Sequence, residues 1–130
     1  MVKPSTKQRR PTRAELSLLQ VLWRLGPSTV REVHEALPER DTGYTTVLKL
    51  LQIMHDKELV TRDESRRAHV YSAARGRGQT QRQMLRDFVD NVYEGSATRL
   101  AAQALDAAKS VDRDDVARLR RSLEELESRV

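Results

Sequence analysis

The stretch GYTTVLKLLQIMHDKELVTRDESRRAHVYS, from Gly43 to Ser72, changes its period half-way along. As far as Lys57 the apolar side chains recur at helical spacing. Val47, Leu50, Leu51 and Met54 fall on one face of a helix turning ~100° per residue. From Leu59 the pattern alternates instead. Leu59 to Arg62 and His69 to Ser72 read as strands, joined by the charged turn Asp63 to Ala68. A helix feeding a β-hairpin is the second half of a winged helix-turn-helix, provided that two short helices precede it.

They do. Thr12-Arg13-Ala14-Glu15 and Thr29-Val30-Arg31-Glu32 both have capping-box spacing, in which threonine and glutamate each satisfy the other's free backbone N–H. The first box opens a helix carrying Leu16, Leu19, Leu22 and Trp23, and Gly26-Pro27 ends it. The second opens a short helix with Val30, Val33 and Leu37 inward, closed by Pro38. A polar connector, Glu39 to Thr42, leads to the third helix, Gly43 to Lys57.

Behind the hairpin the chain reads as helical again. Gln79 to Tyr93 places Met84, Phe88 and Val92 four apart, and Gly95 terminates the run. Ala97 to Lys109 puts Leu100, Ala104, Leu105 and Ala108 on one face. Asp112 caps a last helix in which Val116, Leu119, Leu123, Leu126 and Val130 form a heptad seam. Two heptads are marginal as a lone helix, and three narrow-faced helices make a poor independent core. The seam therefore needs partners, either its own neighbouring helices or a second chain, and a second chain is the expected one. The expected fold class is mainly α with a small β-hairpin: a winged helix-turn-helix DNA-binding domain plus a C-terminal helical dimerisation region. The expected layout is a flexible basic arm over 1–11, the DNA-binding domain over 12–78 and a three-helix dimerisation domain over 79–130. The dimer-forming residues would be Phe88, Leu100, Leu105, Val116, Leu119, Leu123, Leu126 and Val130.

Charge divides the chain in the same way. Residues 1–78 carry 15 basic and 9 acidic side chains, a balance of +6, whereas 79–130 carry 9 and 10, a balance of −1. Together they give the formal +5 of the 130-residue chain. A basic first half suits a polyanion, and a near-neutral second half suits another task. With 4% aromatic residues, base stacking on single strands is a poor fit, whereas duplex reading by a helix needs none. No cysteine is present, which removes disulfides, thiolate metal sites and thiol nucleophiles and favours the cytosol. No apolar run exceeds three residues, so neither a membrane-spanning helix nor a signal-peptide core is expected.

The polar face of the third helix carries Thr45, Lys49, Gln52 and Asp56, with Thr46 towards its start. Lysine can donate to guanine, glutamine can pair with adenine, and threonine can reach phosphate or a thymine methyl. A solvated helix face has the same composition. Its third place in a winged-helix order is what makes it the recognition helix. Leu48 and Ile53 flank it, either to cover thymine methyls or to pack under the hairpin. The hairpin adds Arg62, Arg66, Arg67 and His69, interrupted by Asp63 and Glu64; its arginines suit phosphate or the minor groove, or simply an ordinary charged turn. Arg9, Arg10 and Arg13 at the arm suit the minor groove, as in homeodomain arms, or serve only solubility. His34, His55 and His69 have no paired spacing, and Arg75-Gly76-Arg77-Gly78 lacks the length and lysine of a phosphate loop. Neither catalysis nor a metal or other cofactor is expected.

At Tyr44-Thr45-Thr46-Val47-Leu48 and Arg66-Arg67-Ala68-His69-Val70-Tyr71 the chain resembles the BlaI/MecI penicillinase-repressor family of bacterial regulators. The likeness runs from Thr12 through Leu22-Trp23, Val30-Arg31-Glu32-Val33, Lys57-Glu58-Leu59-Val60 and Phe88 to the closing leucine helix. It implies a homodimeric winged-helix repressor on a palindromic operator with TACA/TGTA-type half-sites. Thr45, Thr46 and Lys49 fall where the family's recognition helix faces the groove, and Arg67 and His69 fall in its wing. Well-known members are inactivated through a membrane-bound sensor protease pathway that cuts an Asn-Phe bond in the fifth helix. The corresponding place here is Gln103-Ala104. The copper-responsive branch uses a C-terminal cysteine cluster that this chain lacks. Two other readings of the same features are a winged helix that binds an acidic protein and a regulator that answers to a small effector.

Overall fold

The computed structural model describes residues 10–38 and 42–130. Its contacts group into two compact units, one reaching to Arg86 and the other running from Asp87 to Val130.

In the first unit, α1 (Arg13–Leu25) begins at the expected capping box. Glu15 N donates to Thr12 Oγ1 at 3.2 Å, and Thr12 N donates to Glu15 Oε1 at 2.8 Å. Leu18, Leu19, Val21 and Leu22 are its buried face, while Leu16 and Trp23 are only half-buried. The chain leaves at Gly26 with φ 82° and ψ −162°, a conformation open essentially to glycine alone. The strand β1 (Ser28–Thr29) follows, and Thr29 is at once its last residue and the cap of α2 (Val30–Ala36). That second capping box also closes, with Glu32 N donating to Thr29 Oγ1 at 3.2 Å and Thr29 N to Glu32 Oε1 at 2.9 Å.

Helix α3 (Tyr44–Asp56) then places Val47, Leu51 and Met54 in the core. It ends in a left-handed turn at Glu58 (φ 65°), where Leu59 N reaches back to the Met54 carbonyl at 2.8 Å. The hairpin strands β2 (Val60–Asp63) and β3 (Val70–Ala73) each begin one residue later than their sequence pattern suggests. They pair antiparallel, with Arg62 opposite Tyr71. β3 is also paired on its other side by β1, Ser28 opposite Tyr71, giving a three-stranded sheet in the order β1-β3-β2. That third strand has no sequence signature, because two residues cannot show a period. Tyr71, 1% exposed, lies where helices and sheet meet, and burying a side chain of this class contributes about 1.5–3 kcal/mol.

Helix α4 (Arg77–Val92) crosses from the first unit into the second, starting two residues earlier than Gln79 because Arg77 and Gly78 join it. In the second unit Glu94 and Gly95 both take positive φ, and α5 (Ala97–Asp106) and α6 (Arg113–Glu127) follow, capped by Ser96 and Asp112. Helix α5 stops three residues before Lys109, and α6 stops at Glu127, so Val130 lies beyond the helix and not on its seam. Tyr93 Oη donates to Gln103 Oε1 at 2.7 Å, and its ring lies 5.8 Å from that of Phe88. None of α4, α5 or α6 contains a buried residue; Phe88, Leu105, Val116, Leu119, Leu123 and Leu126 are all exposed in the single chain, and Leu100 is half-buried. Among the described residues no helix is long and apolar enough to cross a membrane.

Candidate nucleic-acid interface

The outward face of α3 follows from its inward one. With Val47, Leu51 and Met54 fully buried, Thr45, Thr46, Lys49 and Gln52 are left exposed. They do not form one cluster. Tyr44, Leu48 and Gln52, spaced four apart, line an open groove of about 710 Å³ whose other walls are Thr29 to Arg31 and the hairpin residues Arg62, Arg67, Ala68, His69 and Tyr71. Thr46 lies round the helix from this groove, beside a cavity of about 110 Å³ formed with Ala14, Ser17, Leu37 and Pro38. Lys49 and Thr45 stand exposed and line neither space.

Gln52, Arg67 and His69 are thus brought together across the groove, while exposed Arg66 does not line it. Leu48 packs against the core beside the hairpin, while Ile53 remains 38% exposed. Arg13 is exposed at the first turn of α1, and Arg10 borders a separate pocket with Pro11, Arg75 and Arg86. Arg9 lies outside the described residues.

The hairpin is electrostatically ordered. Arg62 Nη2 meets Glu64 Oε1 at 2.6 Å, and the Tyr71 hydroxyl, then Glu64, raise the guanidinium's pKa above its ordinary value. Ser65 holds the Asp63 carboxyl below its ordinary value through side-chain and backbone hydrogen bonds, the latter at 2.9 Å, with Arg66 adding to the effect. Exposed Arg66 and Arg67 make no ion pair among the described residues.

Three supports of the interface escape sequence reasoning. Glu15, 1% exposed, is more than a cap: Lys57 Nζ donates to its Oε1 at 2.8 Å and to its Oε2 at 3.1 Å, tying the start of α1 to the end of α3. His34 Nε2 donates to the Thr42 carbonyl at 2.9 Å and sets its ring edge-on to Tyr44, centroids 6.2 Å apart. Trp23 Nε1 donates to the Arg75 carbonyl at 2.9 Å, and the Arg77 guanidinium lies 5.8 Å above its ring. Each partnership spans a sequence gap that no periodicity records. Among the described residues no group of three His, Cys, Asp or Glu could hold a metal ion.

Comparison with known proteins decides the family. Residues 11–125 match the penicillinase repressor family. The chain is 39% identical to the transcriptional regulator BlaI of Mycobacterium tuberculosis, strains CDC 1551 / Oshkosh and ATCC 25618 / H37Rv, over 116 residues, 88% of this chain and 83% of the relative. The chain belongs to the penicillinase repressor family. It is accordingly a BlaI-like transcriptional regulator of the repressor type and not an enzyme, and its family implies DNA binding. In this family member the winged-helix elements and the exposed face of α3 occupy one unit, and α5 and α6 the other.

Proposed function

We propose that this chain is a sequence-specific repressor that binds duplex DNA as a homodimer over a palindromic operator and blocks transcription by occlusion. The observation that carries the reading is the pairing of an exposed polar α3 face, bounded by a cationic hairpin, with C-terminal helices whose apolar faces are bare in one chain. Residues 12–78 would read DNA and 79–130 would join the subunits. Thr45, Thr46, Lys49 and Gln52 would face the major groove, Arg66, Arg67 and His69 the adjoining backbone, and Arg9, Arg10 and Arg13 the flanking DNA. Half-sites would lie about 10 bp apart, or a multiple of that, to match the dimer's two-fold axis. The setting is the cytoplasm, at the nucleoid.

Release would follow proteolysis of the C-terminal region through a sensor protease pathway, at or near Gln103-Ala104, or another event that weakens the dimer. Both residues are exposed within α5, so cutting there would split that helix and separate α6 from the rest of the chain.

Selection of bound sequences from a random duplex pool tests recognition, symmetry and spacing together. Enrichment of an inverted repeat is the expected result; equal affinity for palindromic and scrambled duplex would overturn it. Affinity should also fall steeply between ~50 and ~200 mM salt as counterions are released. A module that serves an acidic protein would show little duplex affinity at any salt. Leu123→Asp should give monomers in sedimentation, and an intact dimer would remove the seam from the interface.

A further inference from the structure

The groove between α2, α3 and the hairpin has an unusual lining. It holds Arg31, Arg62, Arg67 and His69, together with Tyr44 and Gln52, and no carboxylate. The Arg31 side chain is exposed and makes no ion pair or hydrogen bond among the described residues. Arg62 is the half-buried member. It sits across the strand pair from Tyr71, its side chain is 22% exposed, and its Nε is buried without a hydrogen-bond partner. A buried guanidinium N–H left unpaired costs free energy, more than a neutral donor would. The only carboxylate that meets this guanidinium among the described residues is Glu64, 55% exposed, which sits on the wing and outside the groove lining.

We propose that this groove seats one backbone phosphate of the bound duplex, held by Arg31, Arg62 and Arg67, and that Glu64 is the carboxylate which the phosphate displaces from Arg62. The inference rests on the DNA-binding reading above and adds to it a specific seat and a competing group. The chemistry fits in three respects. A phosphate offers acceptors on several sides, and three arginines present forked donors from three elements: α2, β2 and the wing turn. It would also draw the developing contact towards the unpaired Arg62 Nε. Glu64 already occupies one donor of that guanidinium at 2.6 Å, as an oxyanion would. An approaching phosphate repels this half-exposed carboxylate, which has water to turn into. The seat is then a positioning device: it fixes how deep α3 sits without reading any base.

Methylphosphonate scanning of the selected duplex provides the test, because it removes one phosphate charge at a time. The wild-type protein should lose about 10-fold in affinity when the seated phosphate, one per half-site, is made neutral. Arg31→Ala should weaken binding to the unmodified duplex by a similar factor and then show no further loss at that position. Arg67→Ala should couple to the same position. Glu64→Gln keeps the side chain's shape and frees Arg62, so it should bind the unmodified duplex several-fold more tightly. Normal duplex binding with no position coupled to Arg31 or Arg67, or weaker binding by Glu64→Gln, overturns the seat and leaves the DNA-binding reading standing. Absence of wild-type binding to any duplex overturns the DNA-binding reading itself. Inorganic phosphate that binds these arginines while no duplex position couples to them would give the groove to a free oxyanion and overturn the inference.

Discussion

Replacing Lys57 by methionine probes how α3 is held. Methionine keeps most of the aliphatic stem and deletes the ammonium that meets Glu15 at 2.8 and 3.1 Å. The Glu15 side chain is 2% exposed, so its carboxylate would be left buried with the Thr12 N–H as its remaining donor among those observed. Breaking a buried pair from one side costs about 3–5 kcal/mol. Lys57 is 23% exposed, so water can reach this end of the pair, and the expected cost falls to about 2–3 kcal/mol. Glu15→Gln should be milder. Its amide oxygen can still accept from Thr12, and the lysine can turn to solvent, which leaves about 1 kcal/mol for the lost charge-assisted bonds. Urea unfolding followed by the fluorescence of Trp23, the single tryptophan, reports the unit that contains both residues. Equal m-values would confirm that stability and not compactness has changed. If Lys57→Met proved less damaging than Glu15→Gln, the buried carboxylate would not depend on its partner and the reasoning would fail.

Three further outcomes are expected. Lys49→Ala should cost about 1–3 kcal/mol on the selected operator and much less on random duplex, and equal losses would make Lys49 a phosphate contact. Gly26→Ala should destabilise by about 1–3 kcal/mol although its Cβ would meet nothing within 4 Å, because the φ of 82° alone opposes it; an unchanged urea midpoint would mean the turn relaxes freely. Thr29 bonds, backbone first and then side chain, hold the Glu32 carboxyl below its ordinary value. A depressed carboxyl contributes stability that is present above its unfolded pKa and lost as the pH falls through its folded one, so this share vanishes on acidification. Thr29→Ala removes the smaller, side-chain share and keeps the backbone bond, so the Glu32 pKa should rise only part of the way in an NMR titration, and a full return to the ordinary carboxylate value would dismiss the backbone bond as its main cause.

What sequence reasoning reaches here is local. The capping boxes at Thr12 and Thr29 and the stop at Gly26-Pro27 are legible because their chemistry closes within four residues. The inward faces of α2 and α3 follow from periodicity, and the structure buries Val30, Val33, Val47, Leu51 and Met54 accordingly. Periodicity is weaker for α1, where Leu18 and Val21 are buried and Leu16 is not, since the face is chosen by what packs on it. The site divides in the same manner. Which α3 residues are polar and outward is visible in the sequence, but that Gln52 faces the hairpin while Thr46 faces the α1–α2 side depends on elements folded from elsewhere. Glu15 and Lys57 are 42 positions apart, and neither side chain announces the other.

Thr29 has a mechanical consequence. It ends the strand that pairs with Val70 of the hairpin, and its hydroxyl caps the helix that precedes α3. The strand laid against the hairpin and the helix before α3 therefore meet at one residue, with no spacer between them to absorb relative motion. Such a reading head has little freedom to adapt its shape to a poor target. The compliance must come from the duplex, so the stiffness of base steps that no side chain touches would help to rank one operator above another.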